Sequence, residues 1–274
     1  KLELLGELAH RAHITIAIDS TDGCALLGEA IRRAGSEIGV VIEIDVGMGR
    51  GGARSLEEAR AIGREAATHP GLHLRGVMSW EGHMAMEVDR AVRAEGAAAA
   101  VATTLATAAA LRDDGFDMSI VSAGGTNTYD LTGANPEVTE IQAGTYALMD
   151  TSYHRIAPLF TPNLAVIGTV ISRHGQRAVL DGGSKVMSTT HLAPPQPVGV
   201  DATVAELHEE HTLLDVADGQ PLALGDRVAL LVSYGPGTMN LHDVVHVVDG
   251  DRVVDVWPTS GRGPGAGPLL RRSR

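Results

Sequence analysis

VVIEIDVGMGRGGAR, residues 40–54, decides how this chain is read: an apolar, β-branched run passes directly into a glycine-rich loop carrying one arginine, Arg50. A run this rich in β-branched apolar residues suits a buried strand, as in a parallel sheet. At the C-terminal end of such a strand α/β folds build their sites, and this loop offers backbone N–H groups and a fixed positive charge there. It is expected to bind an anion or a cofactor. Gly47, Gly49 and Gly52 also meet the G-x-G-x-x-G spacing of a dinucleotide-binding turn. In that motif the third glycine lies inside the following helix, whereas the S-x-x-E capping box of Ser55 and Glu58 starts the helix after the last glycine. That argues against a nicotinamide or flavin site, and a loop whose glycines only accommodate positive φ stays open as well.

Outward from this stretch the pattern alternates short β-branched runs with longer amphipathic ones, the mark of repeated βα units on a parallel sheet. Strands are predicted at 13–18, 40–46, 74–80, 118–122 and 140–149. Helices fill the gaps: one starts near Ser20 to Asp22 and stops at Gly35, one starts at Ser55, and a long one ends at Gly115. A closed parallel barrel needs eight such units. About five are read here, so either the sheet is open or units are missing. After residue 160 the rhythm changes to short strands without helices, at 164–172, 177–181, 212–216 and 227–232, then a hairpin over 244–257 turned by Asp249-Gly250. The expected organisation is therefore a βα domain over 1–160, an all-β domain over 161–260 with a proline-rich loop near 194–197, and a disordered Gly, Pro and Arg tail over 261–274.

Bulk properties narrow the function classes. The 274 residues are 44% hydrophobic, enough to fill a core, and the formal charge is −12 with only 22 Lys and Arg. A nucleic-acid partner is not expected from that balance. No apolar run approaches the length that spans a bilayer, and the Ala-rich segment 94–111 is interrupted by Glu95, Gly96 and threonines, so it reads as a soluble helix and no membrane partner is expected. The single cysteine, Cys24, excludes an internal disulfide and fits a reducing cytoplasm. The opening KLELLGELAHRA already has helical spacing and no signal peptide, which reads as entry into the middle of a domain.

Further residues carry chemistry. SAGGTNTY, residues 122–129, puts Gly124, Gly125 and Thr126 just after a strand, and AGTY, residues 143–146, puts Gly144, Thr145 and Tyr146 after the next. Two such clusters at successive strand ends can grip one phosphate, favouring a phosphorylated cofactor. His83 lies just past the strand ending at Trp80, placed to face a ring or to act as acid or base. HEEH, residues 208–211, lacks the i, i+4 histidines of a zincin helix and reads as a polar loop.

Six segments together, EIDVGMGRGG, GVMSWEGHM, VSAGGTNTYD, VTEIQAGTYALMD, LDGGSK and NLHDVVHVVDGDRVVDVWPTSGRG, resemble the D-threonine aldolase and D-serine dehydratase-like family, relatives of alanine racemase. The resemblance runs in order over nearly the whole chain. It implies an α/β fold, a (β/α)8-type barrel of the alanine racemase kind with about five units present, followed by an all-β C-terminal domain. It implies pyridoxal 5'-phosphate as cofactor, a small-molecule D-amino acid with a β-hydroxyl as substrate, and aldol cleavage or elimination as reaction. It assigns Thr126, Gly144 and Thr145 to the phosphate, and sets Arg50, Trp80 and His83 around cofactor or substrate. It also implies a homodimer. The family's residue at position 80 is usually tyrosine, so hydroxyl chemistry is not expected from Trp80.

The cofactor's chemistry calls for a lysine amine, and the family's lies on the first barrel strand. This chain has only Lys1 and Lys185, the latter matching a different family lysine. Arginine stays protonated and cannot substitute. The expectation is a chain lacking the N-terminal part of the barrel; the alternative is a non-catalytic paralogue or subunit that binds pyridoxal phosphate or an amino acid. The family's metal-binding His-x-Cys or His-x-Asp pair is replaced by Tyr234-Gly235-Pro236, and neighbouring His242 and Asp243 would point to opposite faces of a strand. No metal site is expected.

Overall fold

A computed structural model describes residues 1–189 and 193–263, which form two compact units, Lys1–Gly144 and the chain from Thr145 onward. The division falls earlier than the 160/161 boundary suggested by the change of rhythm. The tail expected to be disordered lies, from residue 264, outside the described residues.

The first unit runs α1 (Leu2–Ala9), β1 (Thr15–Ile18), α2 (Thr21–Ala34), β2 (Ile38–Glu43), α3 (Leu56–Ala67), β3 (Leu72–Met78), α4 (Arg90–Asp113), β4 (Ile120–Ala123), a single-turn α5 (Tyr129–Thr132) and β5 (Glu140–Ile141). The five strands are parallel and lie in chain order, β1-β2-β3-β4-β5. A dinucleotide-binding sheet reverses its order at a switch point, and this one does not. It winds in one direction, as a (β/α) barrel does.

Local chemistry sets the helix ends. Ser20 caps α2 by accepting from the Gly23 N–H at 3.2 Å, and the helix stops at Gly35 in the left-handed conformation, φ 65°. Ser55 caps α3 by accepting from Glu58 N–H at 3.2 Å, while the Glu58 carboxylate reaches back to Arg54 N–H at 2.7 Å. Helix α4 turns Ala97, Ala100, Val101, Thr104, Ala108 and Leu111 inward, a three-to-four residue spacing that contacts β3, β4 and α3. By length and composition alone this helix, with a window of mean hydropathy 1.3, could cross a membrane, so Glu95 and Gly96 interrupt it less than expected.

Strand β2 is buried at its first five positions, which is why its sequence is apolar without alternation. Ile38, Val40 and Ile42 pack with Ile18, Leu27, Ile31, Ile62, Leu72, Val77, Leu111 and Val121 into the core of this unit. One predicted strand is wrong in extent. The run 140–149 pairs with β4 only over Glu140–Ile141, because the chain then leaves the sheet for a 3₁₀ turn at Thr145–Ala147. Its apolar residues belong to a loop, and composition alone does not separate the two.

The second unit has α6 (Thr151–His154), β6 (Ala165–His174), β7 (Arg177–Leu180), β8 (Gln196–Val198), β9 (Ala202–Leu207), β10 (Thr212–Val216), β11 (Arg227–Leu231), α7 (Gly235–Met239), β12 (Val244–Asp249) and β13 (Arg252–Pro258). Six strands form one antiparallel sheet, order β8-β11-β6-β7-β10-β9, over a core of Val170, Leu180, Met187, Leu214, Val228, Leu230 and Val232. The hairpin β12-β13 turns at Gly250, φ 56°, as its Asp-Gly pair requires. Three features escaped the sequence reading: β8 inside the proline-rich loop, the polar strand β9, and the single-turn helices α6 and α7. β8 and β9 are the sheet edges, where proline and charge are tolerated and the apolar signal is weakest.

Candidate functional site

The glycine loop after β2 is closed on itself. Ile44 bridges Ala53, and Asp45 N–H donates to Ala53 O at 3.0 Å. Inside it, Asp45 Oδ1 accepts from the N–H groups of Gly47 and Gly49 at 3.0 and 3.1 Å. Those backbone donors hold the Asp45 carboxyl below its ordinary pKa, with Arg54 a lesser cause. The backbone N–H groups that the sequence offered to an anion are thus partly used to shape the loop.

What the loop presents is Arg50. Its guanidinium lies over the Trp80 ring, 5.3 Å from the centroid, and 4.0 Å from Glu43 Oε1. An exposed cation–π contact of this kind contributes about 0.5–1 kcal/mol. Trp80 follows β3, and the preceding Ser79 is held to β4 by its N–H donating to Ser122 O at 2.9 Å and to α4 by the buried Ser79–Thr104 hydroxyl pair at 2.7 Å. The indole packs flat on Gly82, where a Cβ would stand 2.5 Å from the ring, and turns Nε1 toward Gly125, where a Cβ would stand 2.9 Å away. His83, in the 3₁₀ turn Gly82–Met84, packs its imidazole on Gly47, whose missing Cβ would lie 2.8 Å from Cε1. Arg50, Trp80, His83 and Gly125 therefore come together at the C-terminal ends of three neighbouring strands, β2, β3 and β4, where glycine is required by close approach.

At the end of β4 the residues Thr126, Asn127 and Thr128 are buried. Gly124 N–H donates to Glu81 Oε2 at 3.2 Å and Gly125 N–H to Thr128 Oγ1 at 3.1 Å, so both glycine donors have partners within the chain. Asn127 Nδ2 donates to Ala85 O at 2.7 Å, while its buried Oδ1 has no protein partner. Gly144 ends this unit with open space where a Cβ would stand. Sequence reasoning passed over Glu81, Asn127 and Asp45. Glu81 lies between two residues already singled out, yet only the fold shows its carboxylate to be 1% exposed and turned to the loop after β4.

Thr145 and Tyr146 open the second unit. The Thr145 side chain is hydrogen-bonded with Tyr153, whose phenol pKa is raised mainly by burial. The Tyr146 ring packs on Phe160, 5.6 Å between centroids. Lys185 is ion-paired with Glu210, and that hydrogen bond raises its pKa, keeping the amine protonated and a poor nucleophile. The HEEH segment brackets this lysine's backbone: Ser184 N–H donates to His208 O at 2.7 Å and Lys185 N–H to Glu209 O at 3.1 Å. Tyr234 precedes α7, and Gly235 N–H donates to the buried Asp150 Oδ2 at 2.9 Å. His242 and Asp243 precede β12 rather than lying in a strand, so the opposite-face reading does not apply. His242 Nε2 hydrogen-bonds Val186 O at 2.8 Å, and Asp243 pairs with Arg262.

The family model for the alanine racemase N-terminal domain matches residues 3–151, and a putative serine dehydratase domain matches residues 163–248. D-threonine aldolase from Arthrobacter sp. is 34% identical over 96% of this chain and 71% of that protein. The chain belongs to the D-threonine aldolase-like branch of the alanine racemase family. A 3-hydroxy-D-aspartate aldolase from Paracoccus denitrificans is 31% identical over 93% of this chain and 68% of its own length. The crystal structure of D-threonine aldolase from Filomicrobium marinum superposes with a TM-score of 0.91 at 32% identity, covering 96% of this chain and 73% of that one. The fold of this branch is a parallel βα unit of barrel type with an antiparallel β domain.

Pyridoxal phosphate, which the family implies, can be tested against these residues. The Arg50–Trp80 platform, the close-packed Gly125, the orphaned Asn127 Oδ1 and the open Gly144 turn fit the ring and phosphate ester. In the first unit the one lysine is Lys1, at the N-cap of α1.

Proposed function

We propose that this chain is a pyridoxal-phosphate-dependent lyase acting on a D-amino acid with a β-hydroxyl group, of the D-threonine aldolase or D-serine dehydratase kind. The observation that carries it is the convergence of Arg50, Trp80, His83 and Gly125 on three adjacent strand ends, in a chain 34% identical to D-threonine aldolase. In this reading Trp80, Gly124, Gly125, Thr126 and Gly144 form the cofactor's bed, and Thr145 and Tyr146 keep the assignment implied by the resemblance. When bound, the cofactor supplies an electron sink for negative charge at the substrate Cα.

The chain's own residues do the rest. Arg50 sets a permanent positive charge at the rim, which attracts an anionic ligand. Trp80 presents an apolar face and no ionisable group, so it orients and excludes water without moving a proton. His83 takes the proton of the substrate β-hydroxyl at an imidazole nitrogen, the step that aldol cleavage needs, and returns one in the reverse sense when water must leave. Cys24 is a free, buried thiol, and a cytoplasmic setting and a homodimer belong to the same proposal.

The decisive assay adds pyridoxal phosphate, follows visible absorbance, and measures aldehyde release from D-threonine. Release that falls about 100-fold in His83→Ala, with cofactor retained, is the expected result. A second reading is a non-catalytic carrier that binds pyridoxal phosphate or an amino acid; the given residues hold two lysines, Lys1 and Lys185, neither in these loops. Retained cofactor, no aldehyde and no borohydride-trapped adduct would select it; an adduct on Lys185 would overturn the view of that lysine as inert.

A further inference from the structure

We infer that Glu81 is a positioning residue for the cofactor bed, a role that rests on the pyridoxal phosphate reading. Glu81 is 1% exposed, and the described partners of its side chain, Gly124 N–H and the Thr132 hydroxyl, are both uncharged. A buried carboxylate without a counter-charge is costly unless its oxygens are satisfied. Both are: Oε2 accepts from Gly124 N–H at 3.2 Å and Oε1 from Thr132 Oγ1 at 2.6 Å. One side chain thus ties the end of β3 to the turn after β4 and to α5. Gly124 stands at φ 75°, with Thr132 3.1 Å from where its Cβ would be, so the turn is folded directly onto the second partner of Glu81.

Gly125 is placed against the Trp80 indole by its neighbour Gly124, so the carboxylate sets the spacing between ring platform and loop. Glu81 is therefore what makes the loop a bed of defined shape, and it acts through Gly124 without touching cofactor.

The chain has two tryptophans, so Trp257→Phe leaves Trp80 as the sole reporter. Pyridoxal phosphate titrated into that background should quench Trp80. Adding Glu81→Ala should weaken binding about tenfold, the scale of a lost hydrogen bond to a charged group. Glu81→Gln should stay within about threefold, because its amide oxygen can accept from Gly124 while its NH2 donates to a Thr132 hydroxyl that reverses role. Amide hydrogen exchange without ligand should be faster over 122–128 in Glu81→Ala and unchanged over β2. Parental affinity together with parental exchange in Glu81→Ala overturns the inference. If that variant does not fold, Thr132→Val takes its place, and the same two unchanged readings overturn it. A parent that shows no quenching sinks the pyridoxal phosphate reading, while the exchange experiment still decides whether Glu81 holds the loop.

Discussion

Gly125 and Gly144 separate packing from binding at the level of single residues. An alanine at 125 meets Trp80 Nε1 at 2.9 Å, so Gly125→Ala should shift Trp80 emission and weaken pyridoxal phosphate binding. Gly144 has nothing within 4 Å of its Cβ position, so Gly144→Ala should melt as the parent does and lose only cofactor affinity. Differential scanning fluorimetry with a cofactor titration checks both. Asp45 gives the pH dependence. Its folded pKa lies below its unfolded one, so its contribution to loop stability is complete above the unfolded value and disappears as pH falls through the folded value. In Trp257→Phe, Trp80 emission should therefore change at a pH below the ordinary aspartate range, and Asp45→Asn should remove that transition. The motifs around Arg50, Trp80 and His83 were legible because glycines and a lone arginine at a strand end are locally conspicuous. Glu81 was not, since burial of a carboxylate is a property of the surrounding chain.

Helix ends were the most legible elements. Ser20, Ser55 and Gly35 occupy the cap positions that their chemistry demands, because a cap is decided by residues three or four apart. Ser55→Ala should cost about 1 kcal/mol, read by chemical denaturation, and should also loosen the glycine loop that ends just before it. Strands were legible in proportion to burial. β2 is covered on both faces and announces itself, whereas β8 and β9 lie at sheet edges and carry proline and charge. The stretch after Ile141 shows the converse failure: apolar residues suggested a strand where no partner strand continues.

Each compact unit has its own core and its own tryptophan, Trp80 in the first and Trp257 in the second. Ile42→Ala should lower the unfolding free energy reported by Trp80, and Leu214→Ala the one reported by Trp257, each by about 2–5 kcal/mol for a fully buried aliphatic side chain, with a lower urea midpoint in each case. Single-tryptophan variants followed by fluorescence in urea would check this, and an unchanged midpoint for the matching reporter would contradict the core assignment.

By itself the sequence determined the βα alternation, the caps, the change to an antiparallel domain and the family, because these depend on periodicity, local hydrogen bonding and ordered motifs. Only tertiary structure decided the one-way order of the parallel sheet, the early exit of the chain after Ile141, and the meeting of Arg50, Trp80, His83 and Gly125. Those depend on which strands pair and which surfaces touch across tens of residues. Local composition carries no record of contacts made at that distance.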